Sequence, residues 1–124
     1  MLGYRENPEH GIVEITIDTK ITQEDFDRVA RQMEAFIEAH GKVKILEEIR
    51  HLSGFDASVL WSGLKFDMKH LKDYSHCAVV SDKGWVGPVA KAAGAMISCK
   101  VRVFPLDQIE QARQWLRSPD TPEP

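Results

Sequence analysis

The hydrophobic pattern of this chain changes period again and again, and that alternation restricts the fold more than any other feature. "VEITI", residues 13–17, alternates apolar and polar residues as a half-buried strand does. The next stretch places Phe26, Val29, Ala30, Met33, Phe36, Ile37 and His40 on one helical stripe. Thr22 stands before it as an N-cap, with Asp25 three residues on in a variant capping box, and Gly41 is its expected stop. "KVKILEEI" returns to strand, and residues 56–72 return to helix. "HCAVVS" is continuously apolar, which fits a strand covered on both faces. A glycine-bearing helical segment follows. "VRVFP" is the last strand, and "LDQIEQARQWL" the last helix, with Leu106, Ile109, Ala112, Trp115 and Leu116 as its apolar set. Residues 2–5 add a short first strand, joined to residues 12–17 by the turn-rich "ENPEHG". The order ββαβαβαβα predicts a single-domain α/β fold. Its five-stranded sheet is mixed through the hairpin, otherwise largely parallel with right-handed crossovers, and carries about four helices. No repeat or linker divides it. The domain is expected over residues 1–117, and residues 118–124, "SPDTPEP", form a Pro-rich, acidic, disordered tail.

A chain of 124 residues can build an ordinary core. A net charge of −3 argues against a general nucleic-acid binder. Cys77 and Cys99 lack CxxC spacing, and no secretory apolar region is present, so two reduced thiols in a cytoplasmic protein are expected. No apolar run approaches the ~20 residues of a membrane span.

The stretch "SDKGWVGPVAKAAGAM", residues 81–96, carries glycines where a strand hands over to a helix. It matches neither G-x-G-x-x-G nor G-x-x-x-x-G-K-[ST], and Pro88 removes one amide donor. Two helix registers are open. Asp82 caps a first turn that loosens at Gly87 and Pro88, or the helix begins at Pro88. In either, the Trp85 end is weakly helical, and residues 82–90 read as a gate over the apolar faces behind them. Beyond it, Val89, Met96 and several alanines leave Lys91 as the one charge, so this helix has scarcely any polar face. It either packs deep in the core or meets an apolar ligand, partner or membrane.

In the second helix Ala57, Leu60, Trp61, Leu64, Met68 and Leu71 form the expected inward stripe. Val59 and Phe66 share a different face, beside a basic stripe of Lys65, Lys69 and Lys72. An exposed aromatic beside basic residues suits an anionic lipid surface; a solvated face is the alternative. The five histidines show no metal spacing. His51, near Glu47 and Glu48 at a strand end, offers an acid/base pair without a nucleophile. Lys100 and Arg102 stand where they would lower the pKa of Cys99, with an inert thiol as the default.

Element order and local sequence together resemble the SpoIIAA-like proteins, small bacterial proteins of the STAS type. The segments that carry the resemblance are "GKVKILEEI", "GFDASVLWSGLKFDMKHLKDYSHCAVVSDKGW" and "KVRVFPLDQIEQA". It implies a mixed sheet with helices on its face and a binding role in place of a catalytic one. Such folds are also similar to the CRAL-TRIO lipid-exchange fold, which makes an apolar ligand the natural expectation. Anti-sigma factor antagonists of this fold open the second helix with D-S-[ST]-G and phosphorylate a hydroxyl. Here the stretch is Asp56-Ala57-Ser58-Val59. Ser58 remains a hydroxyl able to accept phosphate at a helix N-terminus, where the dipole favours negative charge, but Ala57 and Val59 depart from the motif, so partner switching is not carried over.

The expected protein is therefore a non-enzymatic binding domain without cofactor or metal. A hydrophobic small molecule or lipid would sit between helices two and three, on Trp61, Leu64, Phe66, Met68, Trp85, Val86, Val89 and Met96. Peripheral membrane contact would use Lys65, Lys69 and Lys72, and excess apolar surface would be met by homodimerisation. The alternative is a regulatory protein–protein module using Ser58 or the same patch.

Overall fold

The computed structural model describes residues 1–51, 57–84, 88, 91 and 99–119, with the side chains of residues 57, 58, 60, 61, 64, 68 and 71 outside that description. Strands β1 (Leu2–Asn7) and β2 (Ile12–Asp18) pair antiparallel, from Leu2 opposite Ile17 to Asn7 opposite Ile12. Gly11 closes the hairpin at φ 65°, a left-handed conformation in which a Cβ is disfavoured. Helix α1 (Gln23–His40) starts at the expected capping box: the Asp25 amide donates to Thr22 Oγ1 at 3.1 Å, and the Thr22 amide donates to Asp25 Oδ2 at 3.3 Å. It ends at Gly41, φ 75°. Thr22→Ala should cost about 1 kcal/mol, read as a lower denaturant midpoint at unchanged slope.

Strand β3 (Val43–His51) runs parallel to β2, β4 (Tyr74–Ser81) parallel to β3, and β5 (Lys100–Phe104) parallel to β4. The sheet order is β1-β2-β3-β4-β5, the order of the chain itself. When parallel strands advance in one direction, right-handed crossovers place their connecting helices on one face. Helix α1 and helix α2 (Ala57–Lys69) pack together on that face. Helix α3 (Ile109–Arg117) covers the other, against β3, β4 and β5.

Strand alternation sorts the core into these two layers. Val13, Val43, Ile45 and Tyr74 meet Met33, Phe36 and Ile37 of α1. Ile12, Leu46, Ala78, Val80 and Phe104 meet Ala112 and Leu116 of α3. Glu14, between Val13 and Ile15, faces α3 and accepts Arg113 through two parallel bonds of 3.0 Å.

Among the described residues there are three α-helices; the fourth expected one falls on residues that lie mostly outside the description. Two corrections to the expected elements follow. Helix α2 stops at Lys69, short of residue 72. There the Asp73 amide donates to the His70 carbonyl at 2.8 Å, and the His70 ring nitrogen Nδ1 lies 2.9 Å from Asp73 Oδ2, tightening residues Leu71–Asp73 into a 3-10 turn. The last helix likewise begins at Ile109, after a 3-10 turn Leu106–Gln108 in which the Gln108 amide donates to the Pro105 carbonyl at 3.0 Å.

Candidate functional site

The layer formed by α1, α2 and the sheet encloses a cavity of about 360 Å³. That volume lies in the lower part of the usual range for small-molecule sites. Its walls follow from the strand and helix periods. Leu2, Ile15 and Ile17 come from the sheet, Phe26, Val29 and Met33 from α1, and Val59, Gly63 and Phe66 from α2. Phe26 and Phe66 meet edge to face, with ring centroids 6.2 Å apart and planes at 89°. Gly63 lines the cavity beside them, and a Cβ there would lie 3.8 Å from Phe26 Cε2, an ordinary contact.

Val59 and Phe66 therefore face inward, contrary to the helical stripe expected from sequence. Val59 is buried, and Phe66 is half-buried against the α1 layer. The exposed aromatic that was to flank the basic stripe is part of the core. Lys65, Lys69 and Lys72 are exposed, and Lys69 Nζ lies 3.6 Å from Glu34 Oε1 of α1. Of the other expected ligand residues, Trp61, Leu64 and Met68 belong to α2 but their side chains lie outside the description, as does that of Ser58. Trp85, Val86, Val89 and Met96 lie outside the described residues altogether, and with them most of the expected gate.

Two carboxyl groups interrupt the apolar lining, Glu47 of β3 and Asp67 of α2. In β3, Val43, Ile45 and Glu47 share the face toward α1 and α2, whereas Lys44, Leu46 and Glu48 share the face toward α3. Glu48 is partnered: Thr16 Oγ1 donates to it at 3.5 Å and Arg50 Nε at 3.0 Å. Glu47 receives no hydrogen bond or ion pair among the described residues. Burial, reinforced by the Asp67 charge, pushes its carboxyl up to about 7. Asp67 is also raised, chiefly by burial, while the Tyr74 hydroxyl that donates to it at 3.2 Å and the nearby His70 act in the opposite sense. Asp67 is nonetheless exposed, so it lies where the cavity meets solvent, with Glu47 deeper inside.

The remaining titratable expectations resolve differently from their sequence reading. His51 pairs with Asp18, Nδ1 to Oδ1 at 2.9 Å, and the acid/base pair with Glu47 or Glu48 is not formed. The Cys99 thiol is pushed up to about 11 by burial and by the Glu47 charge; it is not lowered by Lys100 and Arg102. Arg102 lies over the Phe104 and Trp115 rings, on the α3 side. Cys77 is raised as well, and both cysteines are free thiols. Among the described residues no cluster of metal ligands occurs, and no helix is long and apolar enough to cross a membrane.

A mixed sheet in chain order, layered by two packed helices on one face and a terminal helix on the other, defines a small α/β domain of the kind the sequence resembled. The chain belongs to the SpoIIAA-like family, whose sequence profile matches residues 12–117. It is similar in structure to an uncharacterized protein of the DUF3478 family with a SpoIIAA-like fold from Shewanella loihica PV-4. The two are 19% identical, superpose with a TM-score of 0.77, and align over 94% of this chain and 92% of that one. No curated protein matches the sequence.

Proposed function

We propose that this SpoIIAA-like chain is a non-enzymatic binding protein for a hydrophobic small molecule of lipid-like character. The observation that carries the reading is the apolar cavity between α1, α2 and the sheet; the expected location between the second and third helices falls largely outside the described residues. Burying an acyl or alkyl chain there contributes about 25 cal/mol per Å² of apolar surface removed from water. The exposed Lys65, Lys69 and Lys72 lie on and just beyond the helix that walls the cavity, and they support peripheral contact with anionic lipid. That contact should weaken as salt rises; equal sedimentation with neutral and anionic vesicles would remove it.

Gly63 gives the direct test of the cavity. Gly63→Leu should fill it and weaken binding of a long-chain alcohol by about tenfold or more. Gly63→Ala should retain binding and stabilise α2 by up to about 1 kcal/mol, since a helix-interior glycine is replaced where the added methyl makes only an ordinary contact. Saturable alcohol binding that survives unchanged in Gly63→Leu would show that the ligand sits elsewhere.

A further inference from the structure

We infer that the cavity selects an amphiphile with a protonated amine head, its ammonium held by Glu47 and Asp67 and its hydrocarbon lying along α1 and α2. This rests on reading the cavity as a hydrophobic-ligand site. Two features coincide there. One is the apolar lining. The other is a half-buried carboxyl on the cavity wall, Glu47, which has no hydrogen bond or ion pair among the described residues, with Asp67 on the same wall.

The described groups nearby leave that position unneutralised. Tyr74 and Cys77 of β4, and Cys99 just before β5, are all held neutral by burial. His70, just past α2, directs Nδ1 to Asp73 at 2.9 Å, and its Nε2 lies 3.7 Å from Glu34 of α1. Lys69 turns to the same Glu34. Lys44 projects to the opposite face and donates to the Leu116 carbonyl at 2.7 Å. A buried carboxylate without a cation is costly, and a ligand that brings the cation relieves that cost on binding. An ammonium offers three donors to two acceptor carboxylates. An alcohol offers one donor and no charge. A fatty-acid anion would add a third negative charge beside the pair. A metal ion would require further oxygen ligands, which hydrocarbon walls do not supply.

The test is calorimetric titration of the full chain with octylammonium, octanol and octanoate, at a pH of about 8, above the value of about 7 to which Glu47 is raised. Octylammonium should bind about tenfold tighter than octanol, and octanoate most weakly. Near neutral pH, amine binding should also release a proton from the pair, read as a dependence of the heat on buffer ionisation. Glu47→Gln should abolish the amine preference and the proton release while leaving octanol binding intact. Octanol binding without an amine preference, octanoate binding tightest, or a preference that persists in Glu47→Gln would overturn the inference and leave the hydrophobic-ligand reading standing. Failure of all three probes to bind would overturn both.

Discussion

Between about pH 5 and about pH 8 the protein is expected to lose up to about 3 kcal/mol of folding stability, and Glu47→Gln to remove most of that loss. The folded-state value of Glu47 is raised from an ordinary 4.5 to about 7. Below the ordinary value the group is neutral in both states, and burial carries no charge penalty. As the pH rises, the unfolded chain releases this proton while the folded chain retains it, so the equilibrium moves toward unfolding. The change is complete once the folded group ionises as well, above about 7. Asp67, raised by its own burial, acts in the same direction. Asp25 works the other way, because hydrogen bonding at the Thr22 cap holds it below the ordinary carboxylate range, so its contribution is lost only at more acidic pH. Urea midpoints at the two pH values, compared between parent and variant, give the answer. Parallel pH dependences in the two proteins would show that Glu47 does not carry the effect.

Leu116→Ala should destabilise the fold by about 2–5 kcal/mol. Leu116 is fully buried, and with Ala112 it fills the face made by Ile12, Leu46, Ala78, Val80 and Phe104. Truncation leaves a void that rigid strands cannot close, so the lost transfer energy and the cavity term add. Its own carbonyl accepts Lys44 Nζ, and the adjacent Trp115 ring lies 6.1 Å from that of Phe104, so the end of α3 is anchored at several points. An unchanged denaturation slope with a lower midpoint is expected. A loss well below 1 kcal/mol would indicate that α3 is not docked as described.

Elements set by local chemistry were legible in the sequence. The Thr22–Asp25 box depends on residues three apart, and Gly41 on a single backbone conformation, so both were visible without tertiary information. Faces were harder. Helix α2 has apolar residues at so many positions that more than one stripe could be inward, and its packing on α1 brings in Val59 and Phe66. Glu47 was noticed, but with the wrong partner. Alternation alone puts Glu47 and His51 on one face, while an irregularity at Ile17 and Asp18 sets His51 opposite Asp18. Asp67 joined no sequence-based site, because a strand and a helix twenty residues apart meet only through packing; a carboxylate within a strand's apolar face was the available signal. Cys99 misled for a related reason: its basic neighbours in sequence leave it, Lys100 for solvent and Arg102 for the rings beside α3.

The strand order has a consequence for how the molecule is made. Because every strand pairs with its immediate predecessor, a chain leaving the ribosome can add each one to an edge that already exists. The layer over α1 and α2 can thus begin to close early, whereas the opposite side of the sheet stays bare until the last helix has been synthesised. During that interval Ile12, Leu46, Ala78 and Val80 present one contiguous apolar surface to solvent. Nascent chains halted before residue 109 are the species on which a chaperone holding exposed hydrophobic sheet would act.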